Sequence, residues 1–204
     1  MRNGPVYTKN GTTSPGAPEY DAFWARVQEA NLIMAPHAGD DGYDFIGKMW
    51  EPWSEYSGFS VTPMRKAVTS QRAVPDFFAA LVCHKVFERF PRLRVASIEN
   101  GASWVEPLLV RLFRGHAQTN GYYKKNPVDQ FNEHIWVTPF WEDDINVLST
   151  HVPVEKILFG SDWPHVEGVV NPLDFLEPIQ DFSAADKRKI MRENIAQLTA
   201  TANV

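Results

Sequence analysis

The chain has almost no cysteine: Cys83 is its one thiol. No intrachain disulfide can form, which suits a reducing compartment and makes the cytoplasm the default location. No apolar run reaches the length of a membrane span, and the opening residues MRNGPVYTKN carry no signal-peptide pattern. Excess positive charge is missing too. The 20 Lys and Arg stand against 25 Asp and Glu, for a net charge of −5. The basic residues are scattered, apart from Lys187-Arg188-Lys189. A nucleic-acid partner, which needs a basic patch, is therefore not expected, and neither is a membrane. Internal repeats and low-complexity segments are also absent. What remains is an ordinary globular composition, 44% hydrophobic and 22% charged over 204 residues. That is enough for one domain core, or for a large piece of a bigger one.

The pattern along the chain alternates strands and helices. Residues 1–18 are rich in Gly, Pro, Thr and Asn and read as loop or linker, with the domain itself running from 19 to 204. Phe23, Trp24, Val27 and Ala30 share one helical face. LIMAP (32–36) is a short apolar run ending at His37. Residues 43–75 read as a long loop with one helical turn. A helix follows from Asp76, and Pro91 stops it. LRVASI (93–98) is the second strand, HIWVTPF (134–140) the third and KILFGS (156–161) the fourth. Helices are expected after Gly101, over Glu142–Thr150, around Asp174–Gln180 and over the last twenty residues, where Ser183 and Asp186 form a capping box. Strands that are apolar throughout suit a parallel sheet covered on both faces. The fold class is α/β.

The residues that follow the strands carry the chemistry. His37, Glu99 and Asp162 each sit just past a strand end, the edge where parallel α/β folds bind ligands. If the strands are neighbours, the three side chains converge. A His and an Asp arriving from separate strands suit Zn²⁺ or Mn²⁺. Glu99 can bind metal, act as a general acid or base, or orient substrate. Each residue also has a plain structural reading: a loop histidine, or an aspartate capping the next helix. His165 and Glu167 crowd the turn behind Asp162 and either line the pocket mouth or bind the following loop. Asn100 and Trp104 shape the turn after the second strand. Trp50, Trp53 and Tyr56 form either a lid over an aromatic substrate or a small core for their own loop. His84 and His134 read as structural, and His116 and His151 as solvated.

Longer stretches resemble a known family. ILFGSDWPHVEG (157–168) looks like the last-strand signature of the amidohydrolase-related family, the group that includes aminocarboxymuconate-semialdehyde decarboxylase and the resorcylate decarboxylases. RFPRLRVASIENGASWVEPLLVRL is similar to that family's sixth-strand region, FWARVQEANLIMAPHAG to its fifth strand, and NIAQLTA to its closing helix. The resemblance runs from about Pro18 to the C-terminus.

The resemblance implies a distorted (β/α)₈ barrel around one divalent metal, usually zinc and sometimes manganese. It makes His37 and Asp162 metal ligands and gives Asp162 proton transfer as well. Glu99 stands where the decarboxylases carry a catalytic His, a departure from the decarboxylase pattern that leaves hydrolase and decarboxylase both open. His165, Asn100 and Trp50 become candidate substrate contacts. The implied substrate is a small carboxylate, aromatic ones included, or an amide or ester.

The family's first strand carries a His-x-His or Glu-x-His pair that has no counterpart here. By order, the four strands match the fifth to eighth. The expectation is therefore the C-terminal half of a TIM-like barrel. Its metal would not be fully coordinated by this chain alone, since tight zinc sites take three or four protein groups. Its strand edges at LIMAP and KILFG would be bare, and it would pair with an N-terminal half or form a homo-oligomer. A catalytically incomplete fragment that serves at most as a binding or assembly partner is the alternative.

Overall fold

A computed structural model describes residues 1–39, 41–53, 62–69, 71–165 and 168–200. Tyr56 and Glu167 lie outside the described residues. The chain opens with an antiparallel hairpin, β1 (Val6–Thr8) and β2 (Gly11–Thr13). Helix α1 (Asp21–Glu29) buries Trp24 and Val27 and leads into β3 (Ile33–Met34). An excursion carries α2 (Asp44–Trp50) and α3 (Pro63–Thr69), packed together through the buried Arg65, which pairs with Asp44. Then come α4 (Ala73–Cys83), α5 (Val86–Arg89) and β4 (Arg94–Ser97). Helix α6 (Val105–Gln118) and α7 (Pro127–His134) precede β5 (Ile135–Val137). Helix α8 (Ile145–His151) follows, and α9 (Ala184–Arg188) and α10 (Asn194–Ala200) flank a π-helical turn at Lys189–Glu193.

The central sheet is parallel, in the order β3-β4-β5, and Ile157 extends it by a parallel bridge to Val137. Alternation along the strands gives the sheet two faces. On one, Val95, Ile135, Val137 and Ile157 join the main core with Phe77, Phe78, Leu81, Val105 and Phe131 from the helices. Phe78 stacks on Trp104 at 4.8 Å. On the other, Ala96 and Leu158 lie under Leu198, with Ile33, Ile98 and Trp136 only half-buried.

Several expectations change. Residues 1–18 are not plain loop: besides the hairpin, Arg2 forms a parallel bridge with His37. The Met1 amino group donates to the Ala35 carbonyl at 2.8 Å, and His37 N donates to the Met1 carbonyl at 3.0 Å. The edge of LIMAP is therefore partly occupied. The edge of KILFG is also engaged, by the C-terminal helices. Phe159 N donates to the Ile190 carbonyl in the π-helical turn at 3.1 Å, and Asn194 Nδ2 donates to the carbonyls of Val154 and Ile157, both at 2.7 Å. A π turn widens the helical ladder and leaves a carbonyl able to bond elsewhere, which is why a closing helix can act as an edge cap. The 43–75 loop contains two helices rather than one turn. The helix expected from Asp76 breaks at Lys85, where φ is +58°. Helix α7 had not been expected, although Asn126 caps it by accepting from Val128 N and Pro127 stands at its first position.

Candidate active site

Each site residue is placed by the end of a strand. His37 follows β3 and is held there by backbone pairing on both sides, to Arg2 and to Ile98. Glu99 follows β4 and Asp162 follows the Ile157 segment. Both adopt left-handed backbone, with φ of +55° and +53°. That conformation is unfavourable for residues with a Cβ and clusters at functional sites. It turns each side chain abruptly off its strand, onto the rim of the sheet.

The rim side chains meet. His37 Nε2 lies 2.9 Å from Glu99 Oε2. His165 Nδ1 lies 3.1 Å from Asp162 Oδ1 and 3.9 Å from Glu99 Oε1. Glu99, Asp162 and His165 each offer a donor atom within 4.8 Å of the others. Asp162 Oδ2 is buried without a hydrogen-bond partner among the described residues. Burial pushes the Glu99 carboxyl above the usual carboxylate range; the Asp162 charge adds to this, while His37 and His165 offset part of it. Two carboxylates and the His165 imidazole at this spacing are a nitrogen and oxygen donor set of the kind that suits zinc or manganese, with the His37 imidazole beside Glu99. The buried, unpartnered Asp162 oxygen is the further sign that a cation fits among them.

Of the other expected contacts, Asn100 lines a cleft beside Glu99 and is 2% exposed. Its Nδ2 donates to the Pro36 carbonyl and to Ser97 Oγ, both at 3.1 Å, and its Oδ1 accepts from Asn3 Nδ2 at 2.7 Å. It ties the β3 and β4 ends together. Trp50 ends α2 and is 60% exposed, and no hydrogen bond or ion pair among the described residues links it to the rim. Trp104 is buried under Phe78, as expected of a packing residue. His134 is buried, stacked on Phe87 at 4.6 Å, with Nδ1 donating to the Leu93 carbonyl at 2.9 Å.

Three residues were missed. Asn3 is buried at the rim and also donates to the His37 carbonyl at 3.1 Å. Thr138 follows β5, is buried, and packs against the bare face of Gly160, where an added Cβ would stand 2.6 Å from Thr138 Cγ2. Gln71 lines a cleft of about 200 Å³ beside Glu99, together with Asn3, Val74 and Phe140. A polar residue inside an apolar strand end is a readable signal for Thr138. Asn3 and Gln71 have no such local signal.

A parallel α/β sheet with its acids and imidazoles gathered past the strand ends defines an α/β protein with a strand-end site. The chain belongs to the amidohydrolase family, whose model matches residues 7–198. Among solved structures, an amidohydrolase from Mycobacterium avium subsp. paratuberculosis K-10 is 36% identical, with a TM-score of 0.89; the match covers 97% of this chain and 50% of that one. A 2,6-dihydroxybenzoate decarboxylase from Rhizobium is 21% identical, with a TM-score of 0.70, over 97% of this chain and 61% of that one. A dihydroxybenzoic acid decarboxylase from Polaromonas sp. JS666, solved with bound manganese, is 21% identical, with a TM-score of 0.66, over 95% and 57%. The two decarboxylases show a shared fold. The chain spans half the length of the mycobacterial structure and about three fifths of the decarboxylases.

Proposed function

We propose that the chain carries the C-terminal half of a (β/α)₈ barrel and the larger part of a metal-dependent site for hydrolysis or decarboxylation of a small carboxylate, amide or ester. The observation that carries this reading is the meeting of His37, Glu99, Asp162 and His165 on one rim. These four residues would hold one divalent ion, zinc foremost and manganese second, with remaining positions left to water, substrate or a complementary half. The manganese of the Polaromonas relative supports the choice of a divalent ion. Such an ion supplies Lewis acidity to a substrate oxygen.

The chain's own side chains do the rest. Asp162 takes the proton from the attacking group and returns it to the leaving one, and its Oδ1 contact with His165 holds it in place. Glu99, pushed toward its protonated form by burial, is the second acid or base. Asn100 and Asn3 act through position: they fix the strand ends on which His37 and Glu99 stand.

The half-buried face of Ile33, Ile98 and Trp136 is the side that a complementary N-terminal half, or a second copy, would cover. The coverage of the mycobacterial relative supports this pairing. No helix among the described residues is long and apolar enough to cross a membrane, and a reducing compartment such as the cytoplasm remains our reading for a chain with one thiol. The test is a calorimetric titration of the chain with Zn²⁺ and Mn²⁺, followed by screens of the loaded protein for CO₂ release and for ester and amide cleavage. Failure to bind either ion, with the fold intact, would overturn the reading.

A further inference from the structure

Two side-chain oxygens at the strand ends are buried without a hydrogen-bond partner among the described residues: Asp162 Oδ2 and Thr138 Oγ1. Thr138 is 7% exposed. Its strand, β5, runs between β4, which leads to Glu99, and the Ile157 segment, which leads to Asp162. Ser97 pairs with Val137, and Val137 bridges to Ile157, so Thr138 stands level with Ile98 and Leu158. Alternation puts it on the same face as Trp136 and Ile98, away from the main core. Two contacts fix its direction. Thr138 N donates to the Ser97 carbonyl at 3.1 Å. Its Cγ2 sits against Gly160, two residues before Asp162, where an added Cβ would stand 2.6 Å away. A β-branched side chain is stiff at χ1, so the methyl seated on Gly160 also sets where the hydroxyl points.

From this arrangement we propose that Thr138 is a positioning residue of the rim: its hydroxyl holds a buried water against Asp162 Oδ2 and so sets the orientation in which that oxygen takes an ion or a proton. The inference deepens the metal-site reading above and rests on it for the purpose of the water, not for its presence. The two oxygens are chemically complementary. An ionised carboxylate oxygen only accepts, while a hydroxyl both donates and accepts. Burying either one unpaired is costly, and a single water between them satisfies both. The other Asp162 oxygen, Oδ1, already has the His165 contact at 3.1 Å. The carboxylate is then held at both ends. Thr138 acts only through Asp162, which has three consequences. The hydroxyl is not a structural group, so valine, which keeps the methyl seat on Gly160, replaces it without harm to the fold. Once the Asp162 charge is gone, removing the hydroxyl changes nothing further. Serine keeps the hydroxyl but loses the methyl that aims it, so it serves only in part.

The test uses the full chain and three variants, Thr138→Val, Asp162→Asn and the double variant. Metal-free Thr138→Val should unfold in urea at the wild-type midpoint or above it. Its zinc affinity, read by calorimetry, should fall about three- to tenfold, the range of one hydrogen bond. Thr138→Ser should lie between the two. In the Asp162→Asn background, Thr138→Val should cost no further affinity, because two groups that act as one unit are not additive. A second measurement needs no metal. Nuclear magnetic resonance should show magnetisation passing from a long-lived water to the Thr138 methyl, and none to the methyls of the valine variant. A lower unfolding midpoint in metal-free Thr138→Val, zinc affinity equal to wild type, additive losses in the double variant, or no long-lived water at the Thr138 methyl would each overturn the inference. A wild-type chain that binds neither zinc nor manganese overturns the metal reading, and the midpoint and the water signal then decide this one.

Discussion

Glu99 and Asp162, on different strands, leave the sheet through the same backbone state, at φ +55° and +53°. A left-handed residue with a side chain costs on the order of 1 kcal/mol relative to glycine in that conformation. At the rim the fold carries that cost at two acids whose carboxyls meet. Glu99→Gly and Asp162→Gly should therefore leave the metal-free protein as stable as wild type or more stable by up to ~1 kcal/mol, while metal affinity falls. Urea unfolding paired with a zinc titration reads both. A large loss of stability in either variant would show that the carboxyl is structural.

Asp162→Asn is the sharper test of chemistry. Asparagine tolerates the left-handed state and keeps the shape, but it loses the charge and the proton-accepting oxygen. Metal-free stability should change little. Zinc affinity should drop by at least about tenfold, on the scale seen when groups around a metal are altered. Near wild-type binding would remove Asp162 from the ligand set.

Asn194 bears on stability alone. Its amide satisfies two carbonyls, of Val154 and Ile157, from a position 3% exposed. Asn194→Ala leaves the Ile157 carbonyl without that donor, while the Val154 carbonyl keeps the Ile157 N–H at 3.1 Å. A loss of about 1–3 kcal/mol, that of one buried group left unsatisfied, is expected in denaturant unfolding. A loss under about 0.5 kcal/mol would mean that water replaces the amide.

His134 sets an acid limit. Burial holds its imidazole below the ordinary value, and the hydrogen bond to Leu93 with the Glu133 charge only partly offsets this. The unfolded chain then binds a proton that the folded chain refuses. Stability is full above about pH 6.5 and falls as pH drops from there through the folded-state value. His134→Gln should flatten that part of the stability profile relative to wild type. Parallel profiles for the two proteins would show that other groups cause the acid loss.

Strand ends were legible because an apolar run that stops at a lone polar residue is a local signal. His37, Glu99 and Asp162 were found that way, and so was the Ser183 cap, whose Oγ accepts from Asp186 N at 3.1 Å and donates to its carboxylate at 2.7 Å. The distances among the rim residues were not legible, because they depend on pairing between strands far apart in the chain. The same holds for Asn3, whose segment looks like loop until it is laid beside His37. Gln71 shows the limit most clearly. Its amide is held by Ser103 and packs against the bare face of Gly101, and neither is its neighbour in sequence. Helix α7 is a different case. Its Asn-Pro start was visible, and only the polar run after it hid the helix.

His37, Glu99 and Asp162 are spaced about sixty residues apart, one on each of three strand-and-helix units. No single unit can hold an ion on its own. An ion bound at the rim would therefore act as a fastener across the sheet: it joins only assembled chains, stabilises them by mass action, and is released when any one unit opens. Its dissociation rate would then report how often the sheet comes apart, making the rim a gauge of folding as well as a place for chemistry.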